Sequence, residues 1–326
     1  MIRLVENELI KLLGKHRLLV ILVIMVVLIS MFTYAQLRET ERTKQRMGTS
    51  DWRATLQQSI IDSQNRLSNS RITDEWKKQV QIRIVQQQYY LDHDINPNEP
   101  GGPTFVRGFI ENSVQLFLPL MMLLISADLV SSEYSGGTIK LLLTRPVKRW
   151  RILFSKYLTL VLAVSFIILM FVVLSYLISG VVFGFRGWTA PVLTGFNVLG
   201  EELDTTYVHL IPQWQYILME TGLAWFVSLV VSTLSFMLSV LMRSTAAGMG
   251  VMLACLIGGS ILRNMVSSWE SAKYLFMVNL DITGYLSGMA PPIAGMFLGF
   301  SLLVLALWGI VALVVSFLVF TRQDVY

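Results

Sequence analysis

Six long apolar runs constrain this 326-residue chain more than any other feature. They lie at 18–35, 109–130, 158–183, 217–242, 246–262 and 293–320. Each spans or nearly spans the ~20 residues a helix needs to cross the hydrocarbon core of a bilayer. Composition agrees: 54% of the residues are hydrophobic and only 14% charged, against about a quarter charged in a soluble domain. The fifth run is short and carries Gly248, Gly250, Gly258 and Gly259, small residues that let a neighbouring backbone approach closely. Only Arg243, Ser244 and Thr245 separate the fourth run from the fifth, which predicts a tight helical hairpin.

Lysine and arginine in short loops orient such a chain. Arg3, Lys11, Lys15 and Arg17 precede the first run. Lys140, Arg145, Lys148, Arg149, Arg151 and Lys156 follow the second, Arg243 follows the fourth and Arg322 follows the last. All of these fall on one side of six spans, so both termini are expected in the cytoplasm and the chain in the cell membrane. The formal net charge of +5 is therefore read as topology and not as affinity for nucleic acid.

Ile2, Leu4, Val5, Leu9, Leu12 and Leu13 recur near helical spacing, with Glu6, Glu8, Lys11 and Lys15 between them. This pattern predicts a cytoplasmic amphipathic helix over 1–17, lying in the interface and leading into the first span. The segment 36–107 is expected outside the cell. Asp51 is placed to cap a helix through Trp52, Leu56, Ile60 and Leu67, and Thr73 opens a second through Trp76, Val80, Ile84 and Tyr89. The run from Asn96 to Pro103 then breaks it. The expected architecture is an all-α membrane protein. It has six transmembrane helices in one domain (18–326), the interfacial helix, and a helical extracellular loop between spans one and two.

The chain contains no G-x-x-x-x-G-K-[ST] phosphate loop, no G-x-G-x-x-G, no H-E-x-x-H and no C-x-x-C. His16, His93 and His209 lie in separate segments, and Cys255 sits alone in an apolar run. Neither catalytic residues nor metal ligands are expected, and the chain does not read as an enzyme. The span interiors are nearly free of charge. Asp128 and Glu220, near span ends, are expected to be interface anchors.

The informative stretch is 131–156, SSEYSGGTIKLLLTRPVKRWRILFSK. Ser131 or Ser132 is placed to cap a short helix with Glu133 in its first turn, where the helix dipole favours an acid. Gly136 and Gly137 allow a bend. Ile139, Leu141, Leu142 and Leu143 give an apolar surface beside Lys140, and Arg145-Pro146 ends the helix. A basic second piece follows. Such a segment either docks on a partner or serves as a basic juxtamembrane loop on anionic lipid.

The order of an acid, G-T, a leucine pair, R-P-V-x-R and a lysine before the next span resembles the ABC-2-type exporter permeases. The matching residues are Glu133, Gly137-Thr138, Leu141-Leu142, Arg145-Pro146-Val147, Arg149 and Lys156. The long first external loop resembles the Gram-positive permeases linked to export of, or resistance to, antimicrobial peptides. The resemblance implies that this chain forms the translocation pathway for ATP-driven export. Two copies of a separate ATPase subunit would bind ATP and magnesium, and a second permease chain, identical or not, would complete the transporter. It implies docking of the ATPase on Glu133, Gly136, Gly137, Thr138, Lys140, Leu141, Leu142, Thr144, Arg145, Pro146 and Arg149. A secondary contact is implied at Glu6, Glu8 and Lys11. The competing reading is an ATP-independent secondary transporter, or a membrane sensor or anchor whose outer cap binds a ligand. It expects ionisable residues mid-span or an inverted repeat, and the sequence displays neither.

Overall fold

The computed structural model describes residues 1–47, 51–68, 74–97, 99–138, 147–199, 202–242, 244–263, 265 and 269–322. Six helical stretches are long and apolar enough to cross a membrane, the second of them, Phe117–Ser135, being broken, and the protein is a multi-pass membrane protein. The chain opens with α1 (Ile2–Gly14), followed by α2 (Arg17–Met47). His16 between them has a left-handed backbone with φ 54, and this turns the chain from α1 into the first span. On α1, Val5, Glu8 and Leu12 are buried while Ile2, Ile10 and Leu13 are exposed. One stripe thus packs on the bundle and the other is exposed, the amphipathic pattern the spacing predicts.

The helix α2 does not stop where its apolar run ends. It continues through the polar residues 36–47 and meets α3 (Trp52–Leu67), which pairs with α4 (Asp74–Asp92). Asp51 caps α3 as expected, accepting the Arg53 N–H at 3.1 Å. Thr73, the expected start of the next helix, lies outside the described residues.

The second apolar run is not one helix. It divides into α5 (Gly102–Ser113) and α6 (Phe117–Ser126), with α7 (Ser131–Ser135) beyond. Pro119 explains the first break. It has no N–H to give the carbonyl of Gln115 four residues back, whereas in the first turn of a new helix that donor is not needed. The remaining spans are α8 (Arg149–Phe183), α9 (Gln213–Leu241), α10 (Thr245–Arg263) and α11 (Leu298–Arg322). The last starts later than its apolar run, because Pro291, Pro292 and Gly295 (φ 83) hold the intervening chain out of a helix.

Four short strands cover the connection from α8 to α9: β1 (Pro191–Thr194), β2 (Asn197–Leu199), β3 (Glu202–Asp204) and β4 (His209–Pro212). They pair antiparallel as β1–β4 and β2–β3, one hairpin nested in the other, with Val192 opposite Ile211. Leu193 and Phe196 pack with Ile95, Tyr89 and Tyr90, so this ribbon joins α4 in one layer over the bundle. Three 3-10 helices, Glu270–Tyr274, Phe276–Asn279 and Thr283–Tyr285, complete that end. This irregular piece runs on into the glycines and prolines of 281–292. Gly259 of α10 makes room for it: a Cβ there would lie 2.4 Å from the Met277 Cβ. Gly250 and Gly258 face open space and support no such approach.

At the centre, α9 packs against α5, α6, α8 and α11. Val227, Val231, Phe236, Met122, Leu160, Phe171 and Leu305 form its fully buried surroundings. Ser228, Ser232 and Ser235 keep α9 slim where other helices close on it. The outer faces of α2, α8 and α11 expose Val23, Val27, Leu162, Leu169, Leu307 and Val314, as helices facing lipid do.

Candidate functional site: a charge cluster linking α1 to the spans

Where α1 crosses the bundle end, four charged residues from three helices converge. Lys156, two turns into α8, is 1% exposed. Its ammonium donates to a Glu8 carboxylate oxygen at 2.7 Å and to Glu133 at 3.2 Å. Lys11 donates to the same two acids, each at 3.1 Å. Two ammonium groups and two carboxylates thus alternate, and the formal charges sum to zero. That balance is what permits burial, since an isolated ion there would lose its hydration with no return. Burial opposes the charge on Lys11, but Glu8 and Glu133 outweigh it and hold its pKa above the ordinary 10.5.

A second knot adjoins the first. Asp128, just past α6, accepts from Lys15 at 3.0 Å and from Arg17 at 2.9 Å. Lys15 also donates to the Ser132 hydroxyl at 3.1 Å, and Arg17 to the Leu124 carbonyl at 3.1 Å. Asp128 is therefore the anchor its position predicts. The two knots line a cavity of about 550 Å³ together with Leu12, Ile125 and Leu129.

The short helix α7 is held from the far side as well. The first N–H groups of a helix lack internal partners, and the expectation was a cap from Ser131 or Ser132. Instead the Ser239 hydroxyl of α9 accepts the N–H groups of Val130 and Ser131, at 3.1 and 3.0 Å. No side-chain cap forms at the start of α7. The Ser131 hydroxyl is otherwise engaged, donating to Ala127 and lying 2.8 Å from the Thr245 hydroxyl of α10. Glu133 does occupy the first turn of α7, and the Thr138 hydroxyl hydrogen-bonds to it. Gly136 ends the helix, and Gly137 carries the chain away at φ 68. Through these bonds α7 touches α1, α8, α9 and α10.

The residues singled out in the sequence separate into three sets. Glu8, Lys11, Glu133 and Thr138 come together and bond one another within the chain; Glu8 and Glu133 are buried, while Lys11 and Thr138 keep exposed surface. Of the acidic and basic residues expected to meet a partner from α1, only Glu6 takes no part in this cluster. Arg149 opens α8 and donates to the Thr321 carbonyl at 3.4 Å. Lys140, Leu141, Leu142, Thr144, Arg145 and Pro146 lie outside the described residues. Sequence reasoning gave no site role to Lys156, Lys15, Arg17, Ser239 or Thr245. A signal existed for Lys156: a lone lysine at the entry to an apolar helix needs a counter-charge from elsewhere.

Glu220 departs from expectation. It is not an interface anchor: its side chain is fully buried in α9, and neither carboxyl oxygen has a hydrogen-bond partner among the described residues. Glu111 and Arg107 of α5 and Tyr216, one turn earlier, are within electrostatic reach. Glu111 has its own partner, the Ser287 hydroxyl at 2.7 Å. Arg107 donates to the Pro97 carbonyl at 2.6 Å.

The chain is similar to two proteins of Bacillus subtilis. It is 28% identical over 279 residues to the uncharacterized protein YhcI of Bacillus subtilis strain 168, covering 85% of each chain. It is 30% identical over 215 residues to the uncharacterized membrane protein YdbK of the same strain, covering 65% of this chain and 80% of that one. A family model described as "Protein of unknown function (DUF2705)" matches residues 79–326, a stretch that includes α7, the second half of the charge cluster and all the later spans. The chain therefore belongs to the DUF2705 family.

Proposed function

We propose that the chain is the membrane permease of an ATP-driven exporter, energised by a separate ATPase that docks on the end carrying α1 and α7. In this reading both termini are cytoplasmic and the chain lies in the cell membrane. Two ATPase subunits and a second permease chain complete the transporter, and the cargo is an antimicrobial peptide or another amphiphile. One observation carries the proposal: the buried alternation of Lys11, Glu8, Lys156 and Glu133 ties an interfacial helix to the turn after the second span and to the entry of the third. An ATPase pushing on that face would move α1, α7 and α8 as one body. The Ser131–Ser239 and Ser131–Thr245 bonds would pass the motion to α9 and α10. A switch needs such a rigid connection between the driven surface and the moving spans. The missing phosphate loop fits the same division of labour.

The test is purification of the tagged full chain from its native membranes in mild detergent, followed by an ATP hydrolysis assay. Co-purifying activity is expected, and in Glu133→Ala it should fall by about tenfold while the chain still elutes as a folded species. If no nucleotide-hydrolysing partner accompanies the wild-type chain, the permease proposal fails and the sensor reading replaces it.

A further inference from the structure

At the end of the bundle opposite α1, a cavity of about 580 Å³ opens between the polar continuation of α2, the start of α3, α4 at Gln87, residues 96, 97 and 99–101 with the start of α5, and the tip of α8. That volume lies within the range of small-molecule sites, roughly 300–1,000 Å³. Its polar lining is unbalanced. Glu39 and Glu99 contribute two carboxylates against one ammonium, that of Lys44. The amide of Gln87 adds an acceptor: its nitrogen donates to the Ser59 hydroxyl at 3.0 Å, which leaves its oxygen as the free end. That oxygen is buried and has no partner among the described residues.

The remaining wall is apolar. Trp52, Leu56 and Phe183 contribute to it, and Phe183 closes α8 at the margin of its membrane-spanning stretch. A ligand suited to this lining carries N–H donors and positive charge at one end, with hydrocarbon or aromatic surface at the other. We propose that the cavity binds an organic cation of that kind, a primary ammonium or guanidinium group on an apolar body. The assignment concerns binding alone and stands whether or not an ATPase drives the chain.

The probe is hexylammonium, compared with hexanoate and hexanol, which share its apolar body. Binding to the full chain in phosphatidylcholine nanodiscs is followed by saturation-transfer NMR, with empty nanodiscs subtracted. Hexylammonium is expected to bind saturably and about tenfold more tightly than either analogue. The double variant Glu39→Gln/Glu99→Gln should abolish that preference; both side chains are exposed, so folding is unaffected. Gln87→Met, which keeps volume but removes the acceptor, should weaken hexylammonium severalfold and hexanol little. Equal affinity for the three probes, or a preference intact in the double variant, overturns the proposal. No nucleotide or ATPase enters this experiment, so its failure is distinct from failure of the export reading.

Discussion

Replacing Lys156 by methionine tests whether the charge cluster fastens α1 to the bundle. The methylene stem is nearly reproduced, so packing changes little, but the ammonium that Glu8 and Glu133 share is gone. The cluster then holds two carboxylates against Lys11 alone, one uncompensated negative charge in a site where Glu8 is 7% exposed. Removing one partner of a buried ion pair costs about 3–5 kcal/mol. Lys11 is 42% exposed at its side chain and bonds both acids already, so it offsets part of the loss and the lower end of that range applies. The cost should appear as release of α1 and not as global unfolding, because α1 is the peripheral element and its other anchors are few. Amide hydrogen exchange of the full chain in nanodiscs reads this directly. Local opening of 2–14 should become easier by roughly two decades, at about 1.4 kcal/mol per decade, with α9 amides unchanged. The triple variant Lys156→Met/Glu8→Gln/Glu133→Gln, which removes the orphaned charges as well, should recover much of the protection. If α1 exchanges in Lys156→Met as it does in the wild type, the cluster does not hold the helix and the transmission argument built on it collapses.

Glu220→Met removes a carboxyl whose two oxygens have no partner among the described residues and puts an apolar side chain of similar size in its place. Thermal unfolding in detergent should show stabilisation of about 1–3 kcal/mol, and a loss of stability would mean that Glu220 has a partner the structure lacks. Gly137 sits at φ 68 with open space where a Cβ would go, so Gly137→Ala meets strain without a clash. A local cost of about 1–2 kcal/mol is expected at the end of α7, and Gly137→Asn should cost less; equal effects of the two would rule out backbone strain as the cause. The Lys11 pKa is raised in the folded chain, so its contribution is fully present below the ordinary 10.5 and is lost as pH rises through the higher folded value. Exchange protection of α1 should therefore be flat from neutral pH to about 10 and fall beyond it in the wild type, but not in Lys11→Met, where protection is lower throughout.

The spans were legible because lipid imposes a length and a hydrophobicity on any helix that crosses it, and both are properties of contiguous residues. The interfacial helix and the Asp51 cap were legible for the same local reason. What escaped depends on partners distant in sequence. The division of the second run turns on Pro119, a single residue whose effect is hidden when the run is scored as an average. The nested strands are three or four residues long, too short for an alternation to register, and they exist because β1 finds β4 across 15 residues of chain. Glu133 was noticed in its own motif, but its partners are 122 residues away at Lys11 and 23 away at Lys156. Sequence proximity made it look available to another protein, while the fold has already engaged it.

The two ends of the bundle treat charged and amide groups differently, and the contrast bears on how work would be divided between them. At the α1 end Glu8, Lys11, Asp128, Glu133 and Lys156 all have short partners, and the first N–H groups of α7 are met by Ser239. At the other end the Gln87 oxygen, both Glu220 oxygens, the Asn279 oxygen and one Asp281 oxygen are buried with no partner among the described residues. Fully satisfied networks rigidify, and partly satisfied ones are where a structure yields most readily. A stiff end suits the transmission of force, and an end with unmet acceptors suits a change of state when a donor arrives. If the two are coupled, hexylammonium bound under the cap should slow exchange not only at Gln87 and its neighbours in α4 but also along α9, the one helix that reaches from beneath the cap to Ser239. Protection confined to α3 and α4 would instead mean that the cap binds its ligand without informing the spans, and the two ends would have to be treated as independent devices.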